Sequence, residues 1–96
     1  MTETPEIRLR RLRMRSWRRG MKEMDLILGR FADEVMADLS PAELDAFEAM
    51  LSENDQDLYL WVTARMNGGP NAGPDRIAAI LDRIALHATK RLGIVR

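Results

Sequence analysis

Cysteine is absent from this 96-residue chain, so neither a disulfide framework nor a thiolate metal site can form. Histidine occurs once, at His87, which excludes the usual multi-histidine metal centres. No apolar run approaches the roughly 20 residues of a membrane-spanning helix, and the N-terminus lacks the hydrophobic region of a secretory signal. The expectation is a cytoplasmic protein with no membrane insertion. No segment alternates apolar and polar residues as a half-buried strand would. Nor does any nucleophile–base pair, metal cluster or cofactor loop stand out, so the chain is expected not to be an enzyme, with no catalytic residue, no bound metal and no stably bound cofactor.

What is present describes a globular domain. Apolar residues make up 46% of the chain and charged residues 31%, a balance that disordered chains do not show. A chain of this size buries roughly 60–65% of its unfolded surface, enough for one modest core. We expect a single all-α domain over residues 1–96, a bundle of about five helices, with residues 1–4 and 93–96 frayed. The net charge is zero but polarised. Residues 1–30 hold nine bases and four acids, residues 31–60 hold nine acids and no base, and residues 61–96 hold six bases and two acids. A neutral molecule divided in this way suits a protein partner of complementary charge better than a nucleic acid.

In chain order, Thr4 and Pro5 fit an N-cap and first position of a helix carrying Ile7, Leu9, Leu12, Met14 and Trp17. The remaining positions are crowded by Arg8, Arg10, Arg11, Arg13, Arg15, Arg18 and Arg19. Such a segment could serve as an RNA-binding arm with Trp17 available to stack. It could equally be a solvated face whose arginine stems cover apolar surface. A second helix is expected from Met21 to Asp38, since Met24, Leu28, Phe31, Val35 and Leu39 form one stripe widened by Ile27 and Met36. Gly29 lies inside it and costs about 1 kcal/mol against alanine, which points to close packing of a neighbouring helix. Ser40, Pro41 and Glu43 spell a capping box, with Leu39 and Leu44 placed for a hydrophobic staple. The third helix turns Leu44, Phe47, Met50 and Leu51 inward. The short connection before it predicts near-antiparallel packing of the second and third helices.

Asn54 or Asp55 caps a fourth helix with Leu58, Trp61, Val62 and Arg65 on one face. Its acidic start, Glu53, Asp55 and Asp57, lacks the glycine and terminal glutamate of a calcium loop. Residues 67–74 read as a loop, without the lysine or preceding strand of a phosphate-binding loop. A last helix starts near Asp75 and buries Ile77, Ile80 or Leu81, Ile84 and Ala88. Phe31 and Trp61 are expected to be substantially buried.

The helical periods of the first two segments fail to join at Gly20, which permits a positive φ and a close approach to the backbone. Arg19 and Glu23 flank it. Local architecture alone would make Gly20 a helix end and Glu23 an N3 carboxylate near the helix dipole. The wording is more specific. Arg18-Arg19-Gly20-Met21-Lys22-Glu23-Met24-Asp25 contains the RGxxE signature of the SdhE, or YgfY-like, family of succinate dehydrogenase assembly factors. Leu51-x-Glu53-x-Asp55-x-Asp57-Leu58-Tyr59-x-Trp61 is similar to that family's acidic-then-aromatic segment. The resemblance covers roughly residues 8–86 and departs mildly, with Met24 where leucine is usual, Gln56 where proline is frequent, and a long 67–74 loop.

This resemblance implies a small helical chaperone that binds the flavoprotein subunit of succinate dehydrogenase, and in some members fumarate reductase. It promotes covalent attachment of FAD, which the client carries. The bond joins a client histidine to the 8α-methyl carbon of the isoalloxazine. Arg18, Arg19, Gly20, Glu23 and Asp25 would form the partner-binding motif. A second class of function stays open at this point: a small nucleic-acid-binding or antitoxin-type regulator acting through the arginine-rich helix.

Overall fold

Thr4 starts the first helix. Its hydroxyl accepts the Ile7 N–H, and Pro5 occupies the first turn, where its missing N–H is harmless. From there the computed structural model, which describes residues 3–92 and side chains as far as residue 90, consists of five α-helices: α1 Pro5–Trp17, α2 Lys22–Glu34, α3 Pro41–Leu51, α4 Asp55–Met66 and α5 Ala78–Leu92. Short 3-10 turns at Met36–Asp38 and Asp75–Ile77 complete it, and the described residues contain no strand. The fraying expected at residues 1, 2 and 93–96 lies outside the described residues.

α2 is the central element, packing on α1, α4 and α5. Met24, Ile27, Leu28 and Phe31 on it are buried, joined by Phe47, Met50 and Leu51 of α3, Leu58 and Val62 of α4, and Ile80, Leu81, Ile84 and Ala88 of α5. The Phe31 and Phe47 rings stack with centroids 5.5 Å apart. Phe31 is fully buried and Trp61 mostly so, packed against the edge of this core, so the substantial burial expected of both holds, most completely for Phe31.

Gly29 explains how closely α1 approaches α2. A Cβ there would stand 2.2 Å from the Trp17 ring, so the indole lies directly on the glycine. Its Nε1–H reaches Asp33 Oδ1 at 3.3 Å. Trp17 is therefore spent on packing and is not a stacking platform.

Two expectations fail in the middle of the chain. α2 ends at Glu34 rather than Asp38, because the chain tightens into the 3-10 turn that still buries Met36. It must then become extended before Pro41, whose ring disfavours helical backbone in the residue ahead of it. Leu39 and Ser40 are accordingly extended, with ψ of 143° and 163°. After that redirection α2 lies mainly along α1 and meets α3 through the Phe31–Phe47 stack, rather than lying beside α3 as the short connection suggested. The capping box itself forms in full: Ser40 Oγ accepts the Glu43 N–H at 3.2 Å and Glu43 Oε1 accepts the Ser40 N–H at 2.9 Å.

Arg65 pins the 67–74 loop. Its guanidinium, almost wholly buried, donates to Trp61 O, Ala72 O and Asp82 Oδ1, linking α4, the loop and α5.

Candidate functional site

The RGxxE segment is the corner between α1 and α2, and its shape follows from which residues turn inward. α1 runs out at Trp17, and Arg18 leaves the helix at φ −125°, ψ 56°. Gly20 then takes φ +90°, a conformation that side-chain-bearing residues rarely adopt. Nothing lies within 4 Å of where its Cβ would be, so the backbone is bare and open on that side. Met21 is the N-cap of α2 and contributes no side-chain cap. This places Glu23 at the second helical position rather than the third, and no reciprocal capping bond forms.

Arg19 and Asp25 hold the corner from within. The Arg19 N–H donates to Asp25 Oδ1 at 2.6 Å, closing the turn across six residues. The Arg19 side chain is only 10% exposed. Its Nε donates to Asp55 Oδ1 at 2.6 Å, one Nη to Leu51 O, and the other to Glu53 O at 2.7 Å. One planar guanidinium thus caps the C-terminus of α3, fixes the α3–α4 turn and pairs with the first residue of α4, a use of its fork of donors that a lysine could not reproduce. The two sequence blocks, separated by the 25 residues from 26 to 50, are therefore one physical unit, joined by Arg19. Asp55 was the missed partner. Its acidic neighbourhood read as helix capping, a role that falls to Asn54, whose Oδ1 accepts the Gln56 and Asp57 N–H groups.

Arg18, Lys22 and Glu23 face outward beside Gly20. All are exposed and make no hydrogen bond or ion pair to another described residue through their side chains. The predicted set thus divides in two: Arg18, Gly20 and Glu23 lie on an open surface, while Arg19 and Asp25 shape that surface from behind.

The arginine-rich helix divides likewise. Arg8 bonds Asp45 and Glu48 of α3 at 2.8 and 2.9 Å. Arg11 bonds Glu48 and Glu3 at 2.9 and 2.7 Å. Arg13 reaches Asp33 at 3.3 Å. These bonds hold the Glu48 carboxyl below its usual range, chiefly through Arg11, with burial opposing and Arg8 adding. Much of the basic charge therefore neutralises the acidic middle of the chain.

Residues 10–88 match the family model described as flavinator of succinate dehydrogenase. The chain belongs to this family. It is similar to the mitochondrial succinate dehydrogenase assembly factor 2 of Scheffersomyces stipitis, 41% identical over 68 residues that cover 71% of this chain and 46% of the relative. The protein of the same name from Meyerozyma guilliermondii is 40% identical over 74 residues, 77% of this chain and 53% of the relative. The chain spans about half the length of the curated relatives it matches. No solved structure matches it.

Family membership favours the assembly-factor class over the nucleic-acid or antitoxin alternative. The expected cytoplasmic location is overturned, because these relatives are named as mitochondrial. The expectation rested on criteria for secretory signals and membrane spans, which carry no information about mitochondria, whose targeting segments are amphipathic and arginine-rich. No described helix is long and apolar enough to cross a membrane.

Proposed function

We propose that this chain binds the flavoprotein subunit of succinate dehydrogenase through the open side of the α1–α2 corner and promotes covalent attachment of its FAD. The observation that carries this reading is the internal use of Arg19. A residue of the signature motif spends its guanidinium on locking two turns together, and the result is a rigid corner with bare Gly20 backbone between unpaired Arg18, Lys22 and Glu23. Rigid presentation lowers the ordering cost of binding. The client and its FAD supply the covalent chemistry, and this chain, acting without catalytic residues, holds client groups in reactive register, an effect worth several kcal/mol of barrier (about 7–11 at its largest). FAD stays with the client. A fumarate reductase flavoprotein would be served by the same surface if its docking region shares that chemistry.

The test is co-expression with the flavoprotein subunit in cells lacking their own assembly factor, reading in-gel flavin fluorescence of the client. Gly20→Arg fills the open side of the corner and adds a side chain at a positive φ. It should keep a cooperative melt while client flavin fluorescence falls to the level without the factor. Full flavin content with Gly20→Arg, or no stimulation by the wild-type chain, would remove this reading.

A further inference from the structure

α1 carries a second surface, which meets the corner only at Arg18. Leu9, Leu12 and Ser16 turn toward the body of the protein, whereas Ile7 and Met14 are 49% and 46% exposed on the opposite side. Around them Arg10, Arg11, Arg15 and Arg18 border a shallow, open depression of about 450 Å³. Positions 7, 10, 11, 14 and 15 are spaced 3, 1, 3 and 1 apart, which is a single helix face, and Arg18, just past the end of α1, closes it. Residues 7–18 include no acid. Arg8, Arg11 and Arg13 are consumed by α3 and α2 carboxylates, but the Arg10, Arg15 and Arg18 side chains have no ion-pair or hydrogen-bond partner among the described residues.

We propose that this face docks an acidic amphipathic helix of a protein partner, with apolar side chains seated on Ile7 and Met14 and carboxylates paired with Arg10, Arg15 and Arg18. The two apolar anchors lie two helical turns apart, about 10.5 Å, the repeat that another helix laid alongside would match. Charge decides the sign of the partner: Arg11 is neutralised by Glu3 and Glu48, but Arg10, Arg15 and Arg18 keep an unpaired positive charge that repels basic and favours acidic segments. RNA fits less well, because the one aromatic of α1 is held on Gly29 and no ring is left to stack a base. A lipid surface fits less well because two half-exposed side chains offer little apolar area for insertion. A second copy of this chain fits less well, for most of the carboxylates of α3 and of the α3–α4 turn, Glu43, Asp45, Glu48 and Asp55, are already bonded to arginines.

The probe is a labelled peptide of about 18 residues, about five helical turns, rich in alanine and glutamate with two leucines seven positions apart, titrated with the full chain by fluorescence anisotropy. Binding should weaken as salt rises from 50 to 300 mM, since exposed charges are screened beyond about a Debye length. Arg10→Glu with Arg15→Glu should lower affinity by at least about tenfold, and Met14→Ser by a smaller factor. Arg10→Glu alone, at an exposed position, covers the case in which the double variant unfolds. It should still weaken binding measurably with an unchanged melt. The proposal is overturned if these substitutions leave peptide affinity unchanged, or if a lysine-for-glutamate peptide binds as well. It also falls if oligouridylate or vesicles of phosphatidylcholine with one-third phosphatidylserine bind more tightly than the acidic peptide. Gly20→Arg should bind the peptide normally. Loss of peptide binding there would place the peptide on the corner and equally overturn the proposal, whatever becomes of flavinylation.

Discussion

The α1–α2 corner and the α2–α3 turn do the same mechanical job by opposite means. At the α2–α3 turn every device is local: Ser40 and Glu43 exchange hydrogen bonds across three residues and Pro41 fixes the first turn of α3. At the corner the N-cap, Met21, offers nothing, and the hold comes from Asp25 six residues on and from Arg19 reaching 32 to 36 residues away. A locally satisfied turn spends its polar groups on itself. A corner braced from behind leaves its front free, and here the free front is where the unpaired charges of the RGxxE segment stand.

The largest effect should come from removing the brace. Arg19→Gln deletes the ion pair with Asp55 and strands two carbonyls in a part-buried site. Leaving such groups unpaired costs about 2–4 kcal/mol, a fall in Tm of roughly 10–25 °C for a chain of this size. Arg19→Lys should recover little of it, since one ammonium cannot serve three acceptors in the plane of a guanidinium. Thermal melts of both variants decide it, and a loss under about 1 kcal/mol would mean that the corner is held by something other than Arg19.

Ser40→Ala tests the other turn and should cost about 1 kcal/mol. Because the capping box is local, the loss should appear in the melt and leave the flavin content of the client unaltered. A Ser40→Ala variant as damaging as Arg19→Gln would erase the contrast between the two turns.

Acid provides a third, smaller probe that avoids the corner altogether. Glu48 is held low by Arg11 and then Arg8, and Glu43 by the Ser40 N–H and then Arg83. A carboxyl whose folded pKa is depressed contributes stability above its unfolded pKa and loses it as pH falls through the folded value. Stability should therefore be flat near neutrality and decline below about pH 4.5, where unfolded glutamates begin to protonate. Glu48→Gln should flatten part of that decline, as followed by denaturant midpoints from pH 7 to pH 3.

These contrasts also show why some of the molecule was legible in its sequence. The capping box, the stripe from Met24 to Phe31 and the Asn54 cap all depend on residues within one or two turns, where spacing alone carries the information, and Gly29 inside a helical stripe marked a close approach without naming Trp17 as its partner. The start of α2 was misplaced by one position because Gly20 and Met21 carry no capping side chain to mark it. Arg19 pointing inward could not be read, since an arginine's partner lies wherever the fold brings a carboxylate, and nine acids in residues 31–60 were equally eligible. The same ambiguity made the α1 arginines look like a uniform solvated or phosphate-binding face, when the fold spends three of them on α3 and α2. Glu23, by contrast, was placed correctly on the surface for want of any neighbour that could claim it.

Glu23 gives the smallest stability effect and the sharpest separation of the two roles of the corner. At the second position of α2 it is exposed and makes no bond to a described residue, so its structural contribution is confined to the helix dipole. That is worth roughly 0.3–1 kcal/mol, less in physiological salt. Glu23→Gln keeps the size and hydrogen-bonding groups while removing the charge, and should melt within a few degrees of the wild type. At a docked interface the same charge would face a cation or donor of the client, and deleting one partner of a desolvated charged contact costs about 2–5 kcal/mol, more than tenfold in affinity. The expected outcome is a well-folded variant with clearly reduced client flavin fluorescence, the mirror image of Ser40→Ala, which loses stability and keeps function. Normal client flavin content with Glu23→Gln would confine Glu23 to its small part in the helix dipole and leave the exposed Gly20 backbone and Arg18 to carry recognition.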